Sequence, residues 1–217
     1  MLAALRGLPV DRVPIWLREG FPVLDGPADE DDFCRCWQAE PLYRELLEYV
    51  KPHVEQVLNW WVTPFNRHLM IPSSARVKAS NAEENTSEYR RFTTTVRTPK
   101  GDLTEIGELR KGLATGWTLK HLVESLEDLK KLSAVDFEID HGETESSVKM
   151  YHKAVKKAGD MAIVETFLPS PIVCISGAMP FDLFLELSLT ERDLFHHFST
   201  KLHNGNLRSW KLFLHMI

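Results

Sequence analysis

The chain of 217 residues is short of cysteine, of net positive charge and of long apolar runs, and each shortage excludes something. Its three cysteines, Cys34, Cys36 and Cys174, do not make a disulfide framework. Cys34-Arg-Cys36 also lacks the longer spacing and the histidine pair of a structural zinc site, and reads as two buried or half-buried thiols on a helix. The formal net charge is -5, with lysine and arginine scattered rather than striped, which argues against a nucleic-acid partner. No apolar run approaches the ~20 residues that cross a bilayer. No apolar stretch with a cleavage site opens the chain either, so it reads as soluble, cytoplasmic and free of membrane contact. Repeats and low-complexity segments are missing too. What is present is 43% hydrophobic content, enough for one sizeable core, and residues 1–217 are expected as a single domain.

The start of the chain is the most informative part. A short helical segment, Leu2–Leu5, stops at Gly7. Val13, Ile15, Trp16 and Leu17 then form a compact β-branched run that predicts a buried strand, ending in the charged pair Arg18-Glu19 and Gly20. Charges at the end of such a strand sit where α/β folds place their ligand chemistry. Arg18 with Glu19 is either an ion pair capping a strand edge or a clamp on a substrate. Trp16 is either a core residue or an aromatic wall facing a flat ligand.

Between Pro41 and Trp61 the apolar residues keep a helical stripe through Pro52, which predicts one kinked helix or two abutting ones. Trp60 and Trp61 then read as helix packing. Residues 91–98 alternate instead, with Phe92, Thr94, Val96 and Thr98 on one side, and predict a half-exposed strand. Pro99-Lys-Gly-Asp102 is a turn, and 103–109 returns as the paired strand, giving an inserted antiparallel hairpin. Ser125-Leu-Glu-Asp128 is a capping-box start. Residues 146–158 predict a helix with Lys156 and Lys157 in its last turn and Gly159 as its cap. Met161–Leu168 follows as a buried strand. Thr190-Glu-Arg-Asp193 opens another helix, weakened at Asn204-Gly-Asn206. On that helix His196 and His203 share a face, which reads as solvated rather than as a ligand set.

These pieces, in this order, resemble the uroporphyrinogen decarboxylase-like superfamily, which also contains corrinoid-dependent methyltransferases. The resemblance rests on Leu2-Ala-Ala-Leu-Arg-Gly7, Asp11-Arg-Val-Pro-Ile-Trp16, Thr94-Thr-Val-Arg-Thr-Pro-Lys-Gly-Asp-Leu-Thr104, Leu122-Val-Glu-Ser-Leu-Glu-Asp-Leu129 and Leu187–Phe195. It implies an α/β fold: a partial β/α barrel of the decarboxylase type with an inserted hairpin, incomplete because a closed barrel needs ~250 residues. It implies tetrapyrrole decarboxylation as the family activity, with a small-molecule tetrapyrrole or corrinoid as partner. Arg18 matches the arginine that holds the substrate's acidic side chains after the first strand, with Glu19 and Trp16 beside it. No cofactor is implied for decarboxylation; zinc and a corrinoid belong to the methyltransferase alternative. A shortened, non-catalytic member is the remaining alternative. A partial barrel is also expected to leave strand edges and apolar helix faces uncovered, and so to self-associate or be poorly soluble.

Overall fold

The computed structural model describes residues 2–17, 26–60, 65–66, 71–72, 75–166 and 169–217. The chain divides into two compact units. The first comprises residues 1–60, 110–115 and 150–167; the second comprises 61–109, 116–149 and 168–217.

The first unit opens with α1 (Leu2–Leu5). Gly7 takes a left-handed φ of 67°, Leu8 N donates to Ala3 O at 2.9 Å, and Gly7 N donates to Ala4 O at 3.0 Å. That pair of bonds satisfies the carbonyls left open at a helix end, and only glycine enters the required φ without strain. The 13–17 run corrects the expectation of a buried strand: Val13 is 81% and Ile15 54% exposed. Among the described residues the segment is held by a backbone bond from Glu55 N to Ile15 O at 2.7 Å and by Arg12 against Glu55 at 3.6 Å. Pro14 carries no N–H, so this stretch cannot donate a continuous ladder.

The helix expected across 41–61 is also shorter than its periodicity suggests. Helix α2 covers Pro41–Val50, with Pro41 in its first turn, and Pro52 sits in a 3-10 turn over Lys51–His53. Val54 is extended, and strand β1 occupies Gln56–Trp60. Proline removes a helical donor, and the residues beyond it gain a sheet partner. Helix α4 (His141–Ala158) enters this unit at Met150, and Gly159 (φ 49°) ends it. Strand β8 (Ala162–Thr166) then pairs parallel with β1, Gln56 opposite Ala162 through Trp60 opposite Thr166. β8 is half-buried rather than buried. Residues 167 and 168, the end of the expected strand, lie outside the described residues.

In the second unit β2 (Phe65–Asn66) and β3 (Ile71–Pro72) form a small antiparallel pair. The expected hairpin is the centre of a larger sheet. β4 (Lys78–Asn85), β5 (Tyr89–Thr98), β6 (Gly101–Arg110) and β7 (Gly116–Lys120) lie antiparallel in that order. The β5–β6 turn is the predicted one: Thr98 Oγ1 donates to Gly101 O at 2.6 Å, and Gly101 has φ 117°. Between β6 and β7 the register slips: Ile106 faces Lys120 but Gly107 faces Thr118, so Leu119 is the extra residue of a bulge.

Helices cover this sheet. α3 (Leu126–Ser133) starts on the predicted capping box, with Ser125 Oγ accepting from Asp128 N at 3.2 Å and donating to Asp128 Oδ2 at 2.9 Å. Burial works against the Asp128 charge, but Lys131, Ser125 and the Glu124 amide outweigh it and hold the carboxyl below its usual range. α5 (Pro171–Gly177), α6 (Phe181–Thr190) and α7 (Arg192–Met216) follow, and α5 and α6 both pack on α7. The last two correct the sequence reading in one detail. Thr190 closes α6, bonding Glu186 O at 2.9 Å, and caps nothing. α7 runs on through Asn204-Gly-Asn206 and presents Phe195, Phe198, Leu202, Asn206 and Phe213 inward as one stripe. Val96 and Leu103 from the sheet, Leu129 and Leu132 from α3, and Ile175 from α5 meet that stripe in one core.

Candidate functional site

In the first unit, β1 and β8 are parallel, and parallel strands of α/β folds gather ligand residues at their C-terminal ends. Here those ends are Trp60 and Thr166. Trp60 is buried and meets the Tyr151 ring edge-on, with centroids 5.4 Å apart. Trp16 is half-buried, next to the Ile15 carbonyl that accepts from Glu55. Arg18 and Glu19, which follow Leu17 in the chain, lie outside the described residues, as does Trp61. Trp60 itself is a strand residue, and its ring packs on Tyr151 of α4.

The second unit carries a polar cluster that the sequence reading did not single out. One residue from each strand forms a row across the sheet: Glu84 opposite Arg91, Arg91 against Glu108, and Glu108 opposite Trp117. Arg91 Nη2 meets Glu108 Oε2 at 2.9 Å, and Nη1 meets Glu84 Oε2 at 3.4 Å. Tyr89 donates to Glu84 Oε1 at 2.7 Å and lies under the Arg91 guanidinium at 4.8 Å. Glu108 is only 5% exposed. Its hydrogen bond raises the Arg91 pKa, while the bond to Glu84 raises that of Tyr89. Each carboxylate is thus met by a donor, and the row has the form of a cross-strand ion ladder. Its signal in the sequence was the other parity of 91–98, which places Arg91 and Arg97 opposite to Phe92, Thr94 and Val96.

The sheet also holds a hollow of ≈ 210 Å³ lined by Phe92, Thr94, Glu105, Gly107, Glu108 and Trp117 among others. A second hollow, ≈ 270 Å³, lies between α7 and the segment after α3, lined by Asp136, Phe137, Lys201, Asn204, Gly205 and Arg208. Lys201 there is already engaged, with Asp136 at 2.9 Å and the Ser133 carbonyl at 3.0 Å, so it closes the C-terminus of α3. The bond to Lys201 lowers the Asp136 pKa. Both hollows fall below the roughly 300–1,000 Å³ of a typical small-molecule site, and neither holds a molecule of tetrapyrrole size.

Among the described residues no group of three or more His, Cys, Asp or Glu is placed to hold a metal. His196 and His203 are exposed on α7. Cys34 and Cys36 are half-buried, Cys34 in a turn that Asp32 closes by accepting from its amide at 3.0 Å, and Cys36 at the start of a 3-10 turn. Cys174 is buried in α5, and burial pushes its thiol up to about 11. Since the thiolate is the reactive form, alkylation of the folded chain is expected to label Cys34 and Cys36 and spare Cys174 until the protein is denatured. Peptide mass mapping before and after urea checks this; native labelling of Cys174 at the rate of the other two would contradict its placement.

No helix of the described residues is long and apolar enough to cross a membrane. No protein-family model, no curated protein and no solved structure matches the chain.

Proposed function

We propose that the chain is a uroporphyrinogen decarboxylase-like protein whose ligand is a carboxylate-rich tetrapyrrole. The observation that carries the reading is the parallel pairing of β1 with β8, in register over Gln56–Trp60 and Ala162–Thr166. A long antiparallel insertion separates these strands in sequence, yet α4 leads directly into β8 and the two meet side by side. The Ile15 carbonyl stands just before β1, bonded to Glu55. A parallel pair whose second strand is entered from a helix is the unit from which the wall of a β/α barrel is assembled, with ligand groups beyond the strand ends. The family order of the sequence motifs supports the same reading.

In this scheme Arg18, one residue beyond Leu17, grips a substrate carboxylate. A guanidinium offers a planar fork of donors that matches a carboxylate in two bonds, which lysine cannot reproduce. Glu19 is its neighbour in the chain, and Trp16 offers a flat apolar surface to the macrocycle. Decarboxylation breaks the bond to a side-chain carboxyl group, releases carbon dioxide and returns a proton to the carbon left behind.

Anaerobic calorimetric titration of uroporphyrinogen into the protein tests this. Binding is expected, with Arg18→Ala weaker by roughly 10–100-fold, the worth of charge-assisted hydrogen bonds, and with thermal unfolding unchanged. Failure of the wild-type chain to bind uroporphyrinogen overturns the reading. Equal affinity in Arg18→Ala removes that residue from the site.

A further inference from the structure

The edge of the four-stranded sheet points to a partner. All eight residues of β4 are exposed, and among the described residues β4 is bonded to β5 alone. Which of its backbone groups face outward follows from the turn beyond it, where Thr86 N donates to Tyr89 O at 2.9 Å. The register continues unbroken from there, Glu84 opposite Arg91 down to Lys78 opposite Arg97. In an antiparallel ladder alternate residues bond the same neighbour. Lys78, Ser80, Ala82 and Glu84 therefore direct their backbone groups to β5, and Ala79, Asn81 and Glu83 present theirs to the open side. Natural edge strands are blunted by shortness, proline, a bulge or charged side chains, and of these β4 has only its charges, at its two ends. β4 has eight residues, no proline and an uninterrupted register.

Its charges select the occupant. Lys78 stands at one end, Glu83 and Glu84 at the other. We propose that β4 pairs antiparallel with β4 of a second copy about a two-fold axis at Asn81, joining two sheets into one. In that register Asn81 meets the partner's Asn81, and Ala79 meets the partner's Glu83, so outward groups meet outward groups. Lys78 falls opposite the partner's Glu84 in a non-hydrogen-bonded pair, where facing side chains are closest. Two-fold symmetry forms this pair twice. Sliding the strands by two residues puts Lys78 against Ala82 or Thr86, and a parallel arrangement puts it against Lys78, so only this register brings the opposite charges together.

The fold prepares both ends of the pair. Lys78 faces Arg97 across β5, a like-charge contact that an incoming carboxylate relieves. Glu84 is held on the same face of the strand by Tyr89 at 2.7 Å and Arg91 at 3.4 Å. An edge-to-edge contact of this length belongs with the small, reversible interfaces.

Sedimentation velocity over a wide concentration range tests it with the whole chain. The wild type is expected to populate a dimer as concentration rises. Lys78→Glu and Glu84→Lys, each alone, set like charges face to face twice and weaken the dimer by on the order of tenfold or more. An equimolar mixture of the two variants restores opposite charges at both positions, and is expected to recover a heterodimer of wild-type affinity. Asn81→Pro removes an outward N–H that β5 does not use, and is expected to leave a folded monomer by circular dichroism. A wild type that stays monomeric throughout, dimers that persist in Asn81→Pro, or a mixture that fails to recover would each overturn the proposal. Persistence in Asn81→Pro assigns association to another surface, such as the exposed Phe181, Leu185 and Leu189 of α6.

Discussion

Phe198→Ala is expected to destabilise the protein by about 3–5 kcal/mol, the cost of truncating a fully buried aromatic side chain. Phe198 is 0% exposed on the inward stripe of α7, in the cluster that joins α3, α5, α6 and the sheet residues Val96 and Leu103. The side chain loses its contacts there, and the surroundings cannot fully close the cavity because helices from three directions fix its walls. A typical domain is stable by ~5–15 kcal/mol, so the variant stays folded but with much of its margin gone. Leu214→Ala on the same helix is the control. Leu214 is 59% exposed, and its truncation is expected to cost under about 0.5 kcal/mol. Urea unfolding of both variants, with slopes compared to the wild type, reads the difference. Equal midpoints for the two would mean that the inward face of α7 is wrongly assigned.

Local signals read well from this sequence, and long-range ones did not. The Thr98–Gly101 turn, the Ser125 capping box and the Gly159 helix end each depend on side chains within a few residues of one another, and each stands where the sequence put it. The alternation of 91–98 was legible because one face is covered: Thr94 and Val96 are buried. β4 escaped because Lys78–Asn85 is exposed along its whole length and shows no apolar alternation. Periodicity misled at 41–61, where the apolar residues of β1 happen to keep the phase of α2. Only the pairing with β8, a hundred residues away in the chain, decides that Gln56–Trp60 is strand. The same limit applies to sites. Arg18 stood out because it follows an apolar run directly, whereas Arg91 and Glu108 become a pair only once the β5–β6 turn fixes which residues face each other.

That pair carries the second large effect. Arg91→Ala is expected to destabilise the sheet much more than Glu108→Gln, although both abolish the same ion pair, 2.9 Å long. The asymmetry comes from burial. The Glu108 side chain is 5% exposed, so without the guanidinium a carboxylate is left in a site that excludes water. Removing one member of a buried ion pair costs more than the intact pair contributes. The Arg91 side chain is 35% exposed and also reaches Glu84 at 3.4 Å, so when Glu108 is neutralised it keeps both water and a second carboxylate. The sign with pH follows. In Arg91→Ala the Glu108 carboxylate loses the nearby positive charge that favours its ionised form, so the protonated acid is less disfavoured in the native state than it is in the wild type. The resulting penalty is absent below the ordinary glutamate range of about 4.3 and develops as pH rises through it. Urea midpoints at neutral pH and near pH 4 are therefore expected to show a wide gap between Arg91→Ala and wild type that narrows on acidification. Glu108→Gln has no acid at that position and is expected to lie nearer the wild type at neutral pH. Equal losses for the two variants at neutral pH would show that the Glu108 carboxylate is solvated, and that the row across the sheet is a surface ladder of small energetic weight.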